Sequence, residues 1–165
     1  MLYPIGIQSF EKIRTGGFVY VDKTALIYRL TASGQYYFLS RPRRFGKSLL
    51  VSTMEAYFSG RKELFEGLAM ESLEKEWTEY PVLHLDLTGA AYLSVDELYS
   101  KLNSFLSKYE ERYEICTGEH VASVRFENII DTAYRKTGQK VVILIDEYEK
   151  PIIDNIDNPE LMEQF

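Results

Sequence analysis

The sequence predicts a three-layer α/β domain, with helices packed on both faces of a parallel sheet. Three observations predict it. Short aliphatic runs of strand length alternate with longer segments whose apolar residues recur every three or four positions. The run Val-Val-Ile-Leu-Ile at 141–145 is continuously apolar, the pattern of a strand covered on both faces. The chain has 165 residues, enough for one core and too few to expect two, so a single domain over 1–165 is predicted.

In chain order, "GGFVYV" (16–21) reads as a glycine turn into a short strand. Asp22 then stands as N-cap of a helix carrying Leu26, Ile27 and Leu30 and closed by Gly34. "YYFLS" (36–40) has the length and composition of a buried strand. From Lys47 the period becomes helical through Leu50, Met54, Tyr57 and Phe58, and Gly60 stops it. A short helix with Leu64, Phe65 and Leu68 follows.

"PVLHLDL" (81–87) alternates, with Leu83, Leu85 and Leu87 on one face of a strand and Val82, His84 and Asp86 on the other. Ser94 and Glu97 form a capping-box pair ahead of Leu98, Leu102, Phe105, Leu106 and Tyr109. A further helix carries Phe126, Ile129, Ile130, Ala133 and Tyr134 and ends at Gly138. The strand "VVILIDE" (141–147) follows. The acidic stretch 154–160 reads as a solvated loop leading to a helix start at Asn158-Pro159.

Composition narrows the class. Apolar residues make up 45% and charged residues 27%, ordinary for a globular chain. Nineteen basic against 25 acidic residues give a net charge of -6, which argues against a protein that mainly coats nucleic acid. "RPRR" at 41–44 remains a local basic candidate. The single cysteine, Cys116, excludes an internal disulfide and suggests a reducing compartment. No apolar stretch approaches the ~20 residues of a membrane helix, and the N-terminus lacks the features of a signal peptide. The expectation is a cytoplasmic protein with no membrane partner.

Two motifs carry chemistry, each at the carboxyl end of a predicted strand, where α/β sheets bind ligands. "RPRRFGKSLL" places Gly46-Lys47-Ser48 between the 36–40 strand and a helix. In a phosphate loop the amides of a helix N-terminus face an anion, a lysine reaches the phosphates, and a Ser or Thr hydroxyl binds Mg²⁺. The amides of Arg43, Arg44, Phe45, Gly46, Lys47, Ser48 and Leu49 are the candidate cradle. Arg41 stands where such a loop has its first glycine, and Pro42 pushes Arg41 toward extended backbone, so the path into the loop differs from the usual one. Arg43 and Arg44 either add charge at the phosphates or face solvent.

The second motif, "VVILIDE", ends in Asp146 and Glu147. Phosphate-loop ATPases hold hydrated Mg²⁺ with a carboxylate at the end of such a strand. Asp146 is the candidate metal ligand beside Ser48, and Glu147 the candidate base, with Lys47 as the catalytic cation. Alternatively, Asp146 caps the next helix. Asp86 has two readings too, a nucleotide neighbour or a turn cap before Thr88-Gly89. His84 and His120 lack ligand-spaced partners, and Cys116 stands alone, so neither metal nor nucleophile chemistry is expected of them.

"YVDKTALIYRL", "YYFLSRPRRFGKSLL", "EYPVLHLDLTG" and "VVILIDEYEKPIID" together closely resemble the bacterial AAA-ATPase-like domain family, over essentially the whole chain. The resemblance implies a P-loop NTPase-like parallel sheet, with ATP and Mg²⁺ as cofactors. It makes Arg41 a family trait. It implies that longer members carry a PD-(D/E)XK nuclease-like domain, the only route by which nucleic acid is expected as a partner. Glu149 departs from the family, where Asp usually precedes Lys-Pro.

Such a sheet commonly has a further strand after the Asp-Glu strand, and residues 148–165 do not read as one. The expectation is a sheet incomplete at the C-terminus, completed by a further C-terminal segment or covered by self-association. Three functions follow: Mg-dependent ATP hydrolysis, a nucleotide-dependent switch without significant turnover, or an inert fragment of the family.

Overall fold

The computed structural model describes residues 1–40, 45–89 and 91–162. It is a mixed α/β structure that divides into two compact units, Met1–Tyr80 and Pro81–Phe165.

The first unit is helical. Helix α1 (Phe10–Thr15) starts at Ser9, whose hydroxyl accepts the Lys12 N–H. Helix α2 (Thr24–Ser33) is followed by α3 (Lys47–Phe58), a 3₁₀ turn at Lys62–Phe65 and α4 (Ala69–Leu73). Phe10, Ile27, Ala56, Leu64, Phe65 and Met70 form its buried core. Phe65, wholly buried, stacks at 4.9 Å from Phe10 and 5.2 Å from Trp77. Burial of such a ring stabilises by several kcal/mol, about 3–5 on truncation to Ala.

Lys23, not Asp22, takes the N-cap position of α2, because the helix begins at Thr24, and Asp22 acts from one residue further out. Its Oδ1 accepts the N–H and hydroxyl of Thr24 at the start of α2, and its Oδ2 accepts the Ala69 N–H at the start of α4. The Thr24 hydroxyl in turn accepts the Met70 N–H in the core. One short carboxylate thus joins two helix starts.

The second unit holds a two-stranded parallel sheet of β1 (Val82–Asp86) and β2 (Val142–Asp146), in register from Val82↔Val142 to Asp86↔Asp146. Between the strands run α5 (Val95–Tyr113) and α6 (Ala122–Thr137), a helical crossover as parallel pairing demands. Leu83 packs with Leu106, Tyr109, Tyr113, Ile129 and Ala133. The Tyr109 hydroxyl accepts the His84 N–H, fixing α5 to the sheet. Helices α7 (Lys150–Asp154) and α8 (Pro159–Met162) follow β2.

Three expectations change. Residues 36–40 form no strand, and Tyr36, Tyr37 and Phe38 are exposed. An apolar run becomes a buried strand only where neighbouring strands take its amides, and no described residue pairs with it in a sheet. Residues 16–21 contribute only an isolated bridge, Leu2 with Phe18. Strand β2 is covered on one face: Leu144 and Asp146 are buried, whereas Ile143 and Ile145 are 42% and 49% exposed.

Candidate functional site

Lys47 and Ser48 are the first two residues of α3. Gly46 precedes them at φ 73°, in left-handed backbone that side chains tolerate poorly, and its carbonyl accepts the Leu50 N–H at 3.0 Å to close the first turn. Among the described residues, no atom beyond its chain neighbours lies within 4 Å of where a Gly46 Cβ would stand. The glycine is therefore required by conformation.

The helix behind it is firmly held. Leu49, Leu50, Met54 and Tyr57 lie against the first core, and the Ser52 hydroxyl accepts the Phe10 N–H from α1. Buried Thr53 donates to the Leu49 carbonyl. Lys47, Ser48 and Leu49 are half-buried and Phe45 is exposed. A helix N-terminus of this kind offers amides without intrahelical acceptors and the positive end of the dipole, an anion-binding arrangement. Arg41, Arg43 and Arg44 lie outside the described residues.

Asp146 and Glu147 stand at the carboxyl end of β2 in the second unit. The Asp146 side chain is buried and its Oδ1 accepts the Glu147 N–H at 3.0 Å. Glu147 is half-buried at φ 55°, and its carbonyl accepts the Lys150 N–H. A non-glycine residue in that region costs of order 1–3 kcal/mol and persists where surroundings hold it, often at functional sites. Helix α7 begins three residues beyond Glu147, so Asp146 is not the immediate cap.

Asp86, the register partner of Asp146, is exposed and its Oδ1 accepts the Thr88 N–H, the turn-cap reading. The structure thus gathers Gly46, Lys47 and Ser48 at one helix start and Asp146 and Glu147 at one strand end. Among the described residues no group of three or more His, Cys, Asp or Glu is placed to hold a metal by itself. No described helix is long and apolar enough to cross a membrane.

The family model described as "Predicted AAA-ATPase" matches residues 4–165. The chain belongs to the AAA-ATPase-like family. It is similar to a protein of Azotobacter chroococcum mcd 1 described as "Uncharacterized protein in vnfD 5'region", 40% identical over 164 residues. The match covers 98% of this chain and 32% of that relative, so the chain spans about a third of the relative's length. No solved structure matches it.

Sequence reasoning missed part of what surrounds the two strand ends. The stretch 154–160 is not all solvated loop: Asn155 is 6% exposed and its amide donates to the carbonyls of Tyr92 and Pro151. Tyr92, wholly buried, donates its hydroxyl to the Leu87 carbonyl. Lys150 pairs with both oxygens of Asp154, which also accepts the Tyr92 N–H. The only hint in sequence was a tyrosine and an asparagine near the two strand ends.

Proposed function

We propose that this chain binds Mg-ATP and hydrolyses it as a P-loop ATPase-like domain, within a three-layer parallel sheet. The observation that carries the reading is Gly46 in left-handed backbone with Lys47-Ser48 opening α3, in a chain of the AAA-ATPase-like family. Lys47 and the amides of Arg43 to Leu49 would hold the phosphates. Ser48 and Asp146 would hold Mg²⁺, and Glu147 would orient and deprotonate the attacking water. Mg²⁺ held by these residues would supply charge neutralisation at the phosphates.

The test is the melting temperature with and without Mg-ATP, wild type beside Lys47→Ala. A ligand that binds only the folded state at a hundredfold excess over its Kd stabilises by about 2.7 kcal/mol. A rise in wild type that Lys47→Ala abolishes is the expected result; no rise in a well-folded sample refutes nucleotide binding. Turnover lost in Glu147→Gln with binding intact is expected of an ATPase. Tight binding without wild-type turnover would instead make the domain a nucleotide-dependent switch.

A further inference from the structure

We propose that Asn155 is a positioning residue for the Asp146–Glu147 pair, acting through a closed circuit of hydrogen bonds behind the strand ends. The inference rests on the reading of Asp146 as metal ligand and Glu147 as base, and adds the group that sets their direction.

The circuit runs through both strand ends. The Asp146 carbonyl accepts the Leu87 N–H at 3.2 Å, just past β1. The Leu87 carbonyl accepts the Tyr92 hydroxyl at 3.1 Å. The Tyr92 carbonyl accepts one donor of the Asn155 amide, and the Pro151 carbonyl accepts the same nitrogen at 2.8 Å. Pro151 is bonded to Lys150, whose N–H returns to the Glu147 carbonyl at 2.9 Å. Asp154 strengthens the crossing by accepting the Tyr92 N–H and pairing with Lys150.

Glu147 needs such a restraint. At φ 55° its backbone is strained, and relaxation toward negative φ would redirect the side chain and withdraw its N–H from Asp146 Oδ1. Asn155 supplies two donors from one planar amide, and thereby joins the segment after β1 to the first turn of α7. Both Tyr92 and Asn155 are buried, so water does not readily replace a lost bond. An aspartate in place of Asn155 has nearly the same shape but turns the two donors into an acceptor facing two carbonyls.

The 165-residue chain is tested as wild type, Asn155→Ala and Asn155→Asp. Ala133→Gly in α6, buried and outside the circuit, serves as a control for general destabilisation. Two readouts are taken: kcat and KM for Mg-ATP, and NMR hydrogen exchange of the Glu147 and Tyr148 amides relative to Val142. Both Asn155 variants are expected to lower kcat at least ~10-fold with KM within about twofold, the pattern of a lost transition-state interaction. Exchange at Glu147 and Tyr148 should quicken at least ~10-fold more than at Val142, as in a local opening. Ala133→Gly should quicken all three amides together and leave kcat within about twofold. Unchanged kcat, or exchange that rises equally at Val142, overturns the positioning role. If wild type itself does not hydrolyse ATP, the proposed function fails, and the exchange pattern alone decides whether Asn155 holds Glu147.

Discussion

At the scale of single residues, two backbone conformations and one carboxylate dominate. Gly46 at φ 73° has room for a methyl group but not the conformation for one. Gly46→Ala should therefore cost about 1–2 kcal/mol in urea unfolding, through backbone strain alone. Glu147 occupies the same region without being glycine. Glu147→Gly should leave the melting temperature unchanged or raise it, because relief of strain offsets the flexibility glycine gives the unfolded chain. If Glu147→Gly and Glu147→Ala melt alike, no strain is stored there. Burial works to raise the Asp22 carboxyl, but bonds from the Thr24 hydroxyl and the Ala69 and Thr24 amides outweigh it and hold it below the usual range. Asp22→Ala should cost about 1–2 kcal/mol in urea unfolding, because the Thr24 and Ala69 amides lose their carboxylate acceptor.

At the scale of elements, α5 and α6 are joined by a polar clasp over an apolar seam. Arg125 donates to both oxygens of Glu110 and to Asn103 and Ser107, while Phe105, Phe126, Ile129 and Ala133 lie in or against the core beneath. The Arg125 hydrogen bond holds the Glu110 carboxyl below the usual range, outweighing burial. The folded chain therefore binds fewer protons there than the unfolded one. The stabilisation is fully present above the ordinary carboxylate value near pH 4 and is lost as pH falls through the folded value. Wild type should lose more stability than Glu110→Gln between about pH 6 and pH 3, read as parallel denaturation curves. These helices were legible because each carries its own start or stop. Ser94 accepts the Glu97 N–H as the capping box predicts, although Glu97 reaches back to the Leu93 N–H, one residue further than Ser94. Gly138 ends α6 in left-handed backbone. Short α1 and α7 escaped notice because six and five residues show too little period.

At the scale of the whole molecule, each compact unit has its own buried cluster, centred on Phe10, Phe65 and Met70 in the first and on Leu83, Tyr109 and Ile129 in the second. Phe65→Ala should destabilise by about 3–5 kcal/mol and quicken hydrogen exchange first in α1, α3 and α4. Equal quickening in α6 would show that the clusters open as one. Hydrophobic periodicity reports which residues seek cover, and is silent on which other residues provide it. The division falls at Pro81, after the charged stretch "EKEWTEY" at 74–80, which holds no glycine.

Local features were legible in the order of amino acids alone: the Lys47 helix start after Gly46, the strand candidates running to Asp86 and Asp146, the long amphipathic helices and the family. Each is encoded in neighbours a few residues apart, through caps, conformational limits or period. Long-range packing settled the rest: 36–40 forms no strand, one face of β2 is open, Asp22 joins two helices and Asn155 is buried. Those outcomes depend on groups distant in the chain supplying a strand partner, a carbonyl or an apolar surface, and whether they do so is not written in local spacing.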